Sequence, residues 1–258
     1  MTKRRLDQEL VRRGLAASRN AAQQALADGR VRVTGMPQPK ASSMVDDAVG
    51  LAMEDPPPFV SRGGLKLQEA LERFEVSVEG LRAIDVGAST GGFTDCLLQR
   101  GAASVTAVDV GYGQIDWKLR SDERVIVIER TNFRHADPGE LGAPFDVVVA
   151  DLSFISLRTV AAALNAVGSD ETHYFLLVKP QFEVGREMVG PGGIVASPAL
   201  HLQALRDVTT GLADAGLGTI GVCPSPITGT KGNREFLIHV RKGSSLVAQS
   251  GLESVVDA

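Results

Sequence analysis

Ala83-Ile84-Asp85-Val86-Gly87-Ala88-Ser89-Thr90-Gly91-Gly92-Phe93 is the stretch that decides the fold of this chain. An apolar strand runs into closely spaced glycines, and the residues that follow are suited to a helix. A Rossmann-like sheet uses this succession of strand, glycine turn and helix to present backbone N–H groups to a nucleotide-like ligand. The stretch therefore predicts an α/β fold with a ligand cleft at the end of this strand.

Strands and helices alternate on both sides of this stretch. We predict strands at 82–86, 104–109, 124–129, 145–150, 173–178, 217–222 and 235–241, and helices at 65–75, 92–100, 113–120, 156–167 and 199–215. The nearly continuous apolar runs 147–150 and 174–178 are typical of strands that are buried on both faces. The last two strands leave no room for a helix between them. The pattern predicts a Rossmann-like, mostly parallel seven-stranded sheet with helices on both sides and an antiparallel hairpin at its edge.

The first 55 residues have the pattern of a separate, small α+β domain. Helical spacing covers 6–15, Ser18 is suited to cap a second helix at 19–28, and short strands are expected at 31–35, where the strand stops at a turn, and at 49–53. Through residue 45 there are nine Lys/Arg and three Asp/Glu, a net charge of +6 within a chain whose total is −4. A basic domain on an acidic body indicates a polyanionic partner, nucleic acid above all.

A stiff proline-rich hinge, Asp55-Pro56-Pro57-Pro58, follows the basic domain. We therefore divide the chain into a first domain at 1–55, a linker at 56–64 and a second domain at 65–258.

The bulk composition excludes several classes of protein. The 258 residues contain no apolar run near the ~20 residues of a membrane span, and the basic N-terminus has no apolar segment behind it. We expect a cytoplasmic protein without a membrane partner. Cys96 and Cys223 form no CxxC pair and read as reduced core thiols, and the four histidines are scattered, so no metal site is expected. The sequence does not indicate an oligomeric state.

A second set of residues surrounds the glycine turn. The strand at 104–109 ends in Asp109, an acidic residue placed to accept hydrogen bonds from ribose hydroxyls, and Asn132 is placed to read an adenine edge or to form a turn. The glycine spacing differs from the GxGxxG of nicotinamide enzymes, which favours S-adenosyl-methionine over a dinucleotide. The predicted donor site comprises Gly87, Ser89, Thr90, Gly91, Gly92, Phe93, Asp109, Asn132 and Asp151.

The end of the fourth strand limits the chemistry at the acceptor. Asp151-Leu152-Ser153-Phe154 lacks the two prolines with which amine methyltransferases usually hold an exocyclic amine. Methylation at carbon 5 of a pyrimidine requires a cysteine nucleophile there, and neither cysteine fits. Both alternatives are therefore disfavoured.

Four ionisable residues lie at positions from which this fold could bring them together. They are Lys66, Asp151, Lys179 and Glu235. Taken one at a time, each could belong to an ordinary surface ion pair. Taken together, they suit the activation of a weakly acidic sugar hydroxyl. Lys179 is our candidate for activating the oxygen, Asp151 and Glu235 would orient the lysines, and Lys66 would stabilise developing negative charge. Which lysine accepts the proton is left open.

These residues resemble two related families. The order Lys, Asp, Lys, Glu is similar to the FtsJ/RrmJ group of RNA 2′-O-methyltransferases. The stretches 61–67, 85–94, 109–113, 151–156 and 178–183 are more similar still to the TlyA family of S4-domain rRNA methyltransferases, also called haemolysin A. The stretches 6–15 and 29–35, with Ser18-Arg19, resemble the S4 RNA-binding domain.

The resemblance implies methylation of the 2′-oxygen of cytidine in ribosomal RNA, with S-adenosyl-methionine as donor and capreomycin and viomycin susceptibility as the readout. One branch of the family acts on 23S RNA alone, and the branch with longer termini also acts on 16S RNA. The basic start at 3–5 and the tail through Ala258 favour the second branch. The RNA contacts are expected at Arg5, Arg19, Arg30, Arg32, Lys40 and Arg62.

Two alternatives remain. A non-catalytic RNA-binding ribosome assembly factor would keep the fold without turnover. A membrane-active haemolysin would need an amphipathic or spanning segment.

Overall fold

A computed structural model describes residues 3–244 and 248–257 of the chain. Two compact units make up the chain, Met1–Pro57 and Pro58–Ala258. The expectation of two RNA substrates rests partly on the tail that runs through Ala258. Ala258 itself lies outside the described residues.

The first unit is the predicted small α+β domain. In chain order its elements are β1 (Arg4–Arg5), α1 (Leu6–Arg12), α2 (Arg19–Ala27), β2 (Val31–Val33), β3 (Met44–Val45) and β4 (Leu51–Met53). β1 pairs with β3 and β2 with β4, each time antiparallel. Ser18 caps α2 as expected, since its Oγ accepts a hydrogen bond from the Ala21 N–H at 3.2 Å. The two-residue strands β1 and β3 were not predicted, because so short a strand has no periodicity to detect.

The second unit alternates strands and helices. Its elements are α3 (Gly63–Arg73), β5 (Arg82–Val86), α4 (Gly92–Gln99), β6 (Ser104–Val108), α5 (Trp117–Arg120), β7 (Val125–Ile128), α6 (Pro138–Leu141), β8 (Phe145–Ala150), α7 (Leu157–Ala166), β9 (Gly168–Val178), α8 (Pro180–Glu183), α9 (Pro198–Asp214), β10 (Leu217–Pro224), β11 (Phe236–Lys242) and α10 (Gln249–Asp257). The seven strands form one sheet in the order β10-β11-β9-β8-β5-β6-β7.

The sheet has the predicted mixed topology. The neighbours from β9 through β8, β5 and β6 to β7 are parallel, whereas β11 is antiparallel to both β9 and β10. The chain order reverses direction at β5, with β6 on one side and β8 on the other. A parallel sheet opens a crevice at the carboxyl ends of its strands at such a switch point. A site is therefore expected where β5 and β8 end.

Both faces of the sheet are covered. One face packs against apolar side chains of α7, α9 and α10, and the other against those of α3, α4 and α5. Alternate residues of β8 face opposite clusters, with Val147 and Val149 on one side and Val148 and Ala150 on the other. Burial on both faces explains why these strands read as unbroken apolar runs.

Two predictions of secondary structure were wrong. The helix expected at 113–120 is only the single turn of α5, because Asp116 accepts a hydrogen bond from the Lys118 N–H at 2.8 Å and so caps the helix there. Strand β9 begins at Gly168 rather than at 173. Helix α10 was not predicted, although its apolar residues Leu252 and Val256 pack into the core.

Two of the histidines that look scattered in the sequence form a pair. His173 on β9 and His239 on β11 lie with Nδ1 and Nε2 2.9 Å apart, and the His239 ring stacks on Phe175. Burial lowers the pKa of both, that of His239 to about 4 with a further contribution from His173. Strand pairing creates this pair across 66 residues of sequence.

The histidine pair predicts a pH-dependent stability. The folded pKa of His239 lies below its ordinary value near 6.5, so the unfolded chain binds the proton first as the pH falls. Stability that is complete above pH 6.5 should decrease by on the order of 3 kcal/mol as the pH falls toward 4. Urea unfolding of the wild type and of His239→Gln at several pH values measures this. The variant should show the shallower loss, and equal slopes would contradict the assignment.

Within residues 3–244 and 248–257, no helix is both long and apolar enough to cross a membrane.

Candidate active site

The four ionisable residues selected from the sequence lie together in one chain of ion pairs. Lys66 Nζ is 2.6 Å from Glu235 Oε2 and 3.9 Å from Asp151 Oδ2, and Lys179 Nζ is 2.6 Å from Asp151 Oδ1. The side chains of Lys66 and Lys179 are only 10% and 11% exposed. Charges this shielded interact more strongly than surface pairs, because less solvent screens them.

The sheet topology explains how these residues meet. Asp151 and Lys179 directly follow the parallel neighbours β8 and β9, so both lie at the carboxyl edge of the sheet. Glu235 directly precedes β11, which is antiparallel to β9, and Phe236 pairs with Val178. Its position at the start of a reversed strand places Glu235 at the same edge. Lys66 reaches it from the first turn of α3.

Two neighbours of this ionic cluster were not selected from the sequence. Ser153 accepts a hydrogen bond from Lys179 Nζ at 2.9 Å. Gly229 lies against Glu235, and a Cβ at this position would be 2.1 Å from Glu235 Oε1. The motif 151–154 could have indicated Ser153, because it stands two residues after the strand end. Gly229 carries no signal in the sequence, since its role depends on a contact with another element.

A largely apolar cavity of about 480 Å³ opens beside the ends of β5 and β6. Its apolar wall includes Val86, Val108, Val110, Leu152, Phe133 and Ile155, and its polar residues include Asp109, Gln114 and Asn132. We call it the apolar cavity. An apolar slot with a carboxylate and amides at its rim has the chemistry of a nucleoside-binding site.

Asp109 is held rigidly in the apolar cavity. Its Oδ2 accepts a hydrogen bond from the Ser89 N–H and its Oδ1 one from the Gly111 N–H, both at 2.7 Å. Each oxygen retains a lone pair for a further donor. Asn132 also lines this cavity, and its Oδ1 caps a short turn by accepting from the Arg134 N–H at 3.2 Å. Asn132 therefore forms the turn that was considered as an alternative, and it also lines the apolar cavity.

A smaller, polar cavity of about 300 Å³ adjoins the apolar one. It is lined by Ser61, Arg62, Lys66, Asp85, residues of the glycine turn at 87–93, Asp151, Lys179 and Glu235. Gly92 in this wall has no room for a side chain, because a Cβ would lie 2.2 Å from Ser61 Oγ. We call it the polar cavity. The two cavities share Gly87, Ser89, Asp151 and Ser153, so the ionic cluster stands where they meet.

Asp85 lies at the buried end of the polar cavity. Its Oδ2 accepts hydrogen bonds from the N–H and the hydroxyl of Thr94 at 3.0 and 2.7 Å. Its Oδ1 is buried without a hydrogen-bond partner among the described residues. Burial raises the pKa of this carboxyl to about 7, a cost that a bound cationic group would offset.

Of the nine residues predicted for the donor site, eight line one or both cavities. Gly91 is the exception. It adopts φ +94 at the start of α4, and a Cβ there would be 2.3 Å from Leu119. Its requirement for glycine comes from the backbone turn and from packing.

The residues predicted to contact RNA differ in their surroundings. Arg5 and Arg19 both donate to Asp7, and Arg30 and Arg32 pair with Asp28 and Glu54. Lys40 is exposed and has no ion pair among the residues that the structure describes. Arg62 is exposed in the second unit, in the wall of the polar cavity.

Two buried carboxylates of α1 organise the basic surface of the first unit. Asp7 contacts Arg5 and Arg19, and Glu9 contacts Arg12 and Arg13. The hydrogen bond from Arg5 holds the pKa of Asp7 well below its usual range, and that from Arg12 lowers the pKa of Glu9 to about 2. Both acids therefore stay ionised and fix the guanidinium groups. In the net charge calculated from the sequence, these two acids only reduced the positive total.

Comparisons with known proteins assign both units. The FtsJ-like methyltransferase family model matches residues 59–242, and the S4 domain model matches residues 4–46. The chain is 47% identical, over 98% of its length and 95% of the relative, to the 16S/23S rRNA (cytidine-2′-O)-methyltransferase TlyA of Mycobacterium tuberculosis. It is 34% identical, over 71% of both chains, to the 23S rRNA (cytidine-2′-O)-methyltransferase TlyA of Campylobacter jejuni.

A solved structure from Streptococcus thermophilus, described as a candidate hemolysin, shares the fold. It superposes with a TM-score of 0.77 at 40% identity, covering 100% of this chain and 95% of the other.

Proposed function

Because the chain belongs to the FtsJ-like methyltransferase family, we propose that it transfers a methyl group from S-adenosyl-methionine to the 2′-oxygen of cytidine in ribosomal RNA. The observation that carries the proposal is the shielded chain of ion pairs through Lys66, Asp151, Lys179 and Glu235 at the junction of two cavities.

The two cavities match the two ends of the donor in chemistry. The apolar cavity, with Asp109 at its rim, suits an adenosine whose ribose hydroxyls donate to a carboxylate. The polar cavity suits the charged amino-acid portion, because Asp85 Oδ1 is buried there without a partner among the described residues. The residues that would hold the donor are Gly87, Ser89, Thr90, Gly92, Phe93, Asp109, Asn132 and Asp151, with Gly91 shaping the turn. When bound, the donor supplies an electrophilic methyl group.

The ionic cluster would prepare the acceptor oxygen. Lys179 would receive the hydroxyl proton in its neutral form, after its ammonium group has released a proton to solvent. Ser153, which already bonds Lys179, would help to fix its position. Asp151 orients Lys179, and Glu235 orients Lys66. Lys66 would stabilise negative charge as it develops on the oxygen. The low exposure of these groups makes that stabilisation larger than it would be in water.

The proposed substrate is ribosomal RNA in ribosomal subunits. The match to the S4 domain supports RNA binding by the first unit. We propose 1–55 as the RNA-binding domain, 56–64 as a linker and 65–258 as the catalytic domain, with RNA contacts at Arg5, Arg19, Arg30, Arg32, Lys40 and Arg62.

The greater similarity to the relative named for both 16S and 23S RNA favours both as substrates. We also propose that the reaction takes place in the cytoplasm and that it affects capreomycin and viomycin susceptibility, as the resemblance to the TlyA family implies.

The test uses 30S and 50S subunits from cells that lack this protein. The purified chain is incubated with each subunit and with donor labelled on its methyl group, and the RNA is digested to nucleosides. We expect the label in 2′-O-methylcytidine from both subunits. Label on a base would refute the proposed reaction. Donor binding with no label on RNA would instead support the alternative of a non-catalytic assembly factor.

A further inference from the structure

A third cavity lies beside Lys179. It has a volume of about 410 Å³, and its polar lining residues are Ser153, Lys179, Gln181, Lys231, Asn233 and Glu235. It shares Ser153, Lys179 and Glu235 with the polar cavity but includes no residue of the glycine turn. If the donor fills the other two cavities, the acceptor nucleotide must reach Lys179 from this side. We call it the acceptor cavity.

Gln181 holds an unused acceptor in this wall. It lies two residues after Lys179 in α8, and its Oε1 is buried with no hydrogen-bond partner among the described residues. A buried carbonyl oxygen without a donor costs free energy, because it has lost water and gained nothing in exchange. Such an atom is suited to accept a hydrogen bond from a ligand.

The backbone of Gln181 is fixed relative to Lys179. Glu183, at the end of the same short helix, is buried, and its carboxylate accepts hydrogen bonds from the Leu157 N–H at 2.8 Å and from Ser156 Oγ at 2.5 Å. These bonds fasten α8 to the start of α7. A group held this way can recognise a ligand without first becoming ordered.

The other polar side chains of the acceptor cavity are already hydrogen-bonded or can only donate hydrogen bonds. Asn233 uses both ends of its amide, accepting from the Val195 N–H at 2.9 Å and donating to the Gly193 carbonyl at 2.8 Å. Glu235 is bound to Lys66, and Ser153 already accepts a hydrogen bond from Lys179. Lys179 and Lys231 can only donate. Gln181 is thus the acceptor in this wall best placed to read a base.

We propose that Gln181 selects the acceptor base by accepting a hydrogen bond from an exocyclic amine, so that cytosine is preferred to uracil. Cytosine presents an amino group where uracil presents a carbonyl oxygen, and a carbonyl facing Gln181 Oε1 would leave both oxygens unpaired. The proposal rests on the function proposed above and adds the residue that sets its base specificity.

The test compares target cytidine with target uridine. After the methylated position is mapped, subunits carrying a C→U change there are prepared, and kcat/KM is measured for the wild type, Gln181→Leu and Gln181→Glu. We expect Gln181→Leu to reduce the rate on cytidine by about 10–100-fold and to leave the uridine rate nearly unchanged, so that the preference disappears. Gln181→Glu keeps an acceptor and should retain the preference.

Two controls separate this role from a structural one. Gln68→Leu makes the same chemical change on α3 and should match the wild type, because the Gln68 side chain bonds only Glu72 among the described residues. Donor affinity should be the same in all variants. An unchanged C/U ratio in Gln181→Leu, or equal losses on both bases, overturns the inference. If the wild type methylates neither base, the proposed function itself fails and the inference falls with it.

Discussion

Replacement of Lys179 by methionine is expected to reduce methyl transfer by about 10³-fold or more while donor binding persists. Methionine keeps much of the apolar stem but cannot accept a proton, and a positioned acid–base group contributes about 10²–10⁴-fold to a rate. The loss should be in kcat, because Lys179 does not line the apolar cavity proposed for the adenosine but lines the polar and acceptor cavities. Single-turnover transfer of labelled methyl to subunits measures the rate, and calorimetry measures donor affinity.

The matched control is Lys242→Met. Lys242 lies at the other end of β11, where its Nζ donates to the Gly168 carbonyl at 2.8 Å, and its replacement should leave turnover unchanged. Turnover of Lys179→Met within a few-fold of the wild type would exclude Lys179 from the chemistry.

Removal of residues 1–57 is expected to weaken RNA binding by about 10²-fold or more and to make it less dependent on salt. Five of the six proposed RNA contacts, Arg5, Arg19, Arg30, Arg32 and Lys40, lie in this unit. Each phosphate contact contributes about 0.7–0.9 to the slope of log K against log salt, so the loss of five contacts should make the slope shallower by roughly 3.5–4.5. Filter binding of subunit RNA across a salt series measures both quantities.

The truncated chain should still fold and bind the donor, since the described residues of the two clusters that form its core begin at Phe59. Full-length Lys179→Met is the complementary control, because it should bind RNA normally without turnover. RNA affinity that is unaffected by the truncation would place the RNA-binding surface in the second unit.

The amino-acid sequence was sufficient to predict the sheet and the positions of its principal chemical groups. Apolar runs long enough to span a sheet specified the strands, and the glycine turn after β5 indicated the ligand cleft. Lys179 and Asp151 could be selected because residues just after parallel strands meet at one edge. These inferences depend on local pattern and on general rules of topology, which a single sequence carries.

Contacts between distant segments were decided only by the tertiary structure. No local pattern indicates that His173 pairs with His239 or that Asp7 and Glu9 lie beneath an array of arginines. Nor does any local pattern indicate that Gln181 Oε1 has no partner among the residues that the structure describes. Each depends on the register and packing of elements remote in the chain, because burial and partnership belong to the assembled fold. The sequence determines which chemical groups the chain carries. Packing determines which of them are buried away from water and which remain free to bind a ligand.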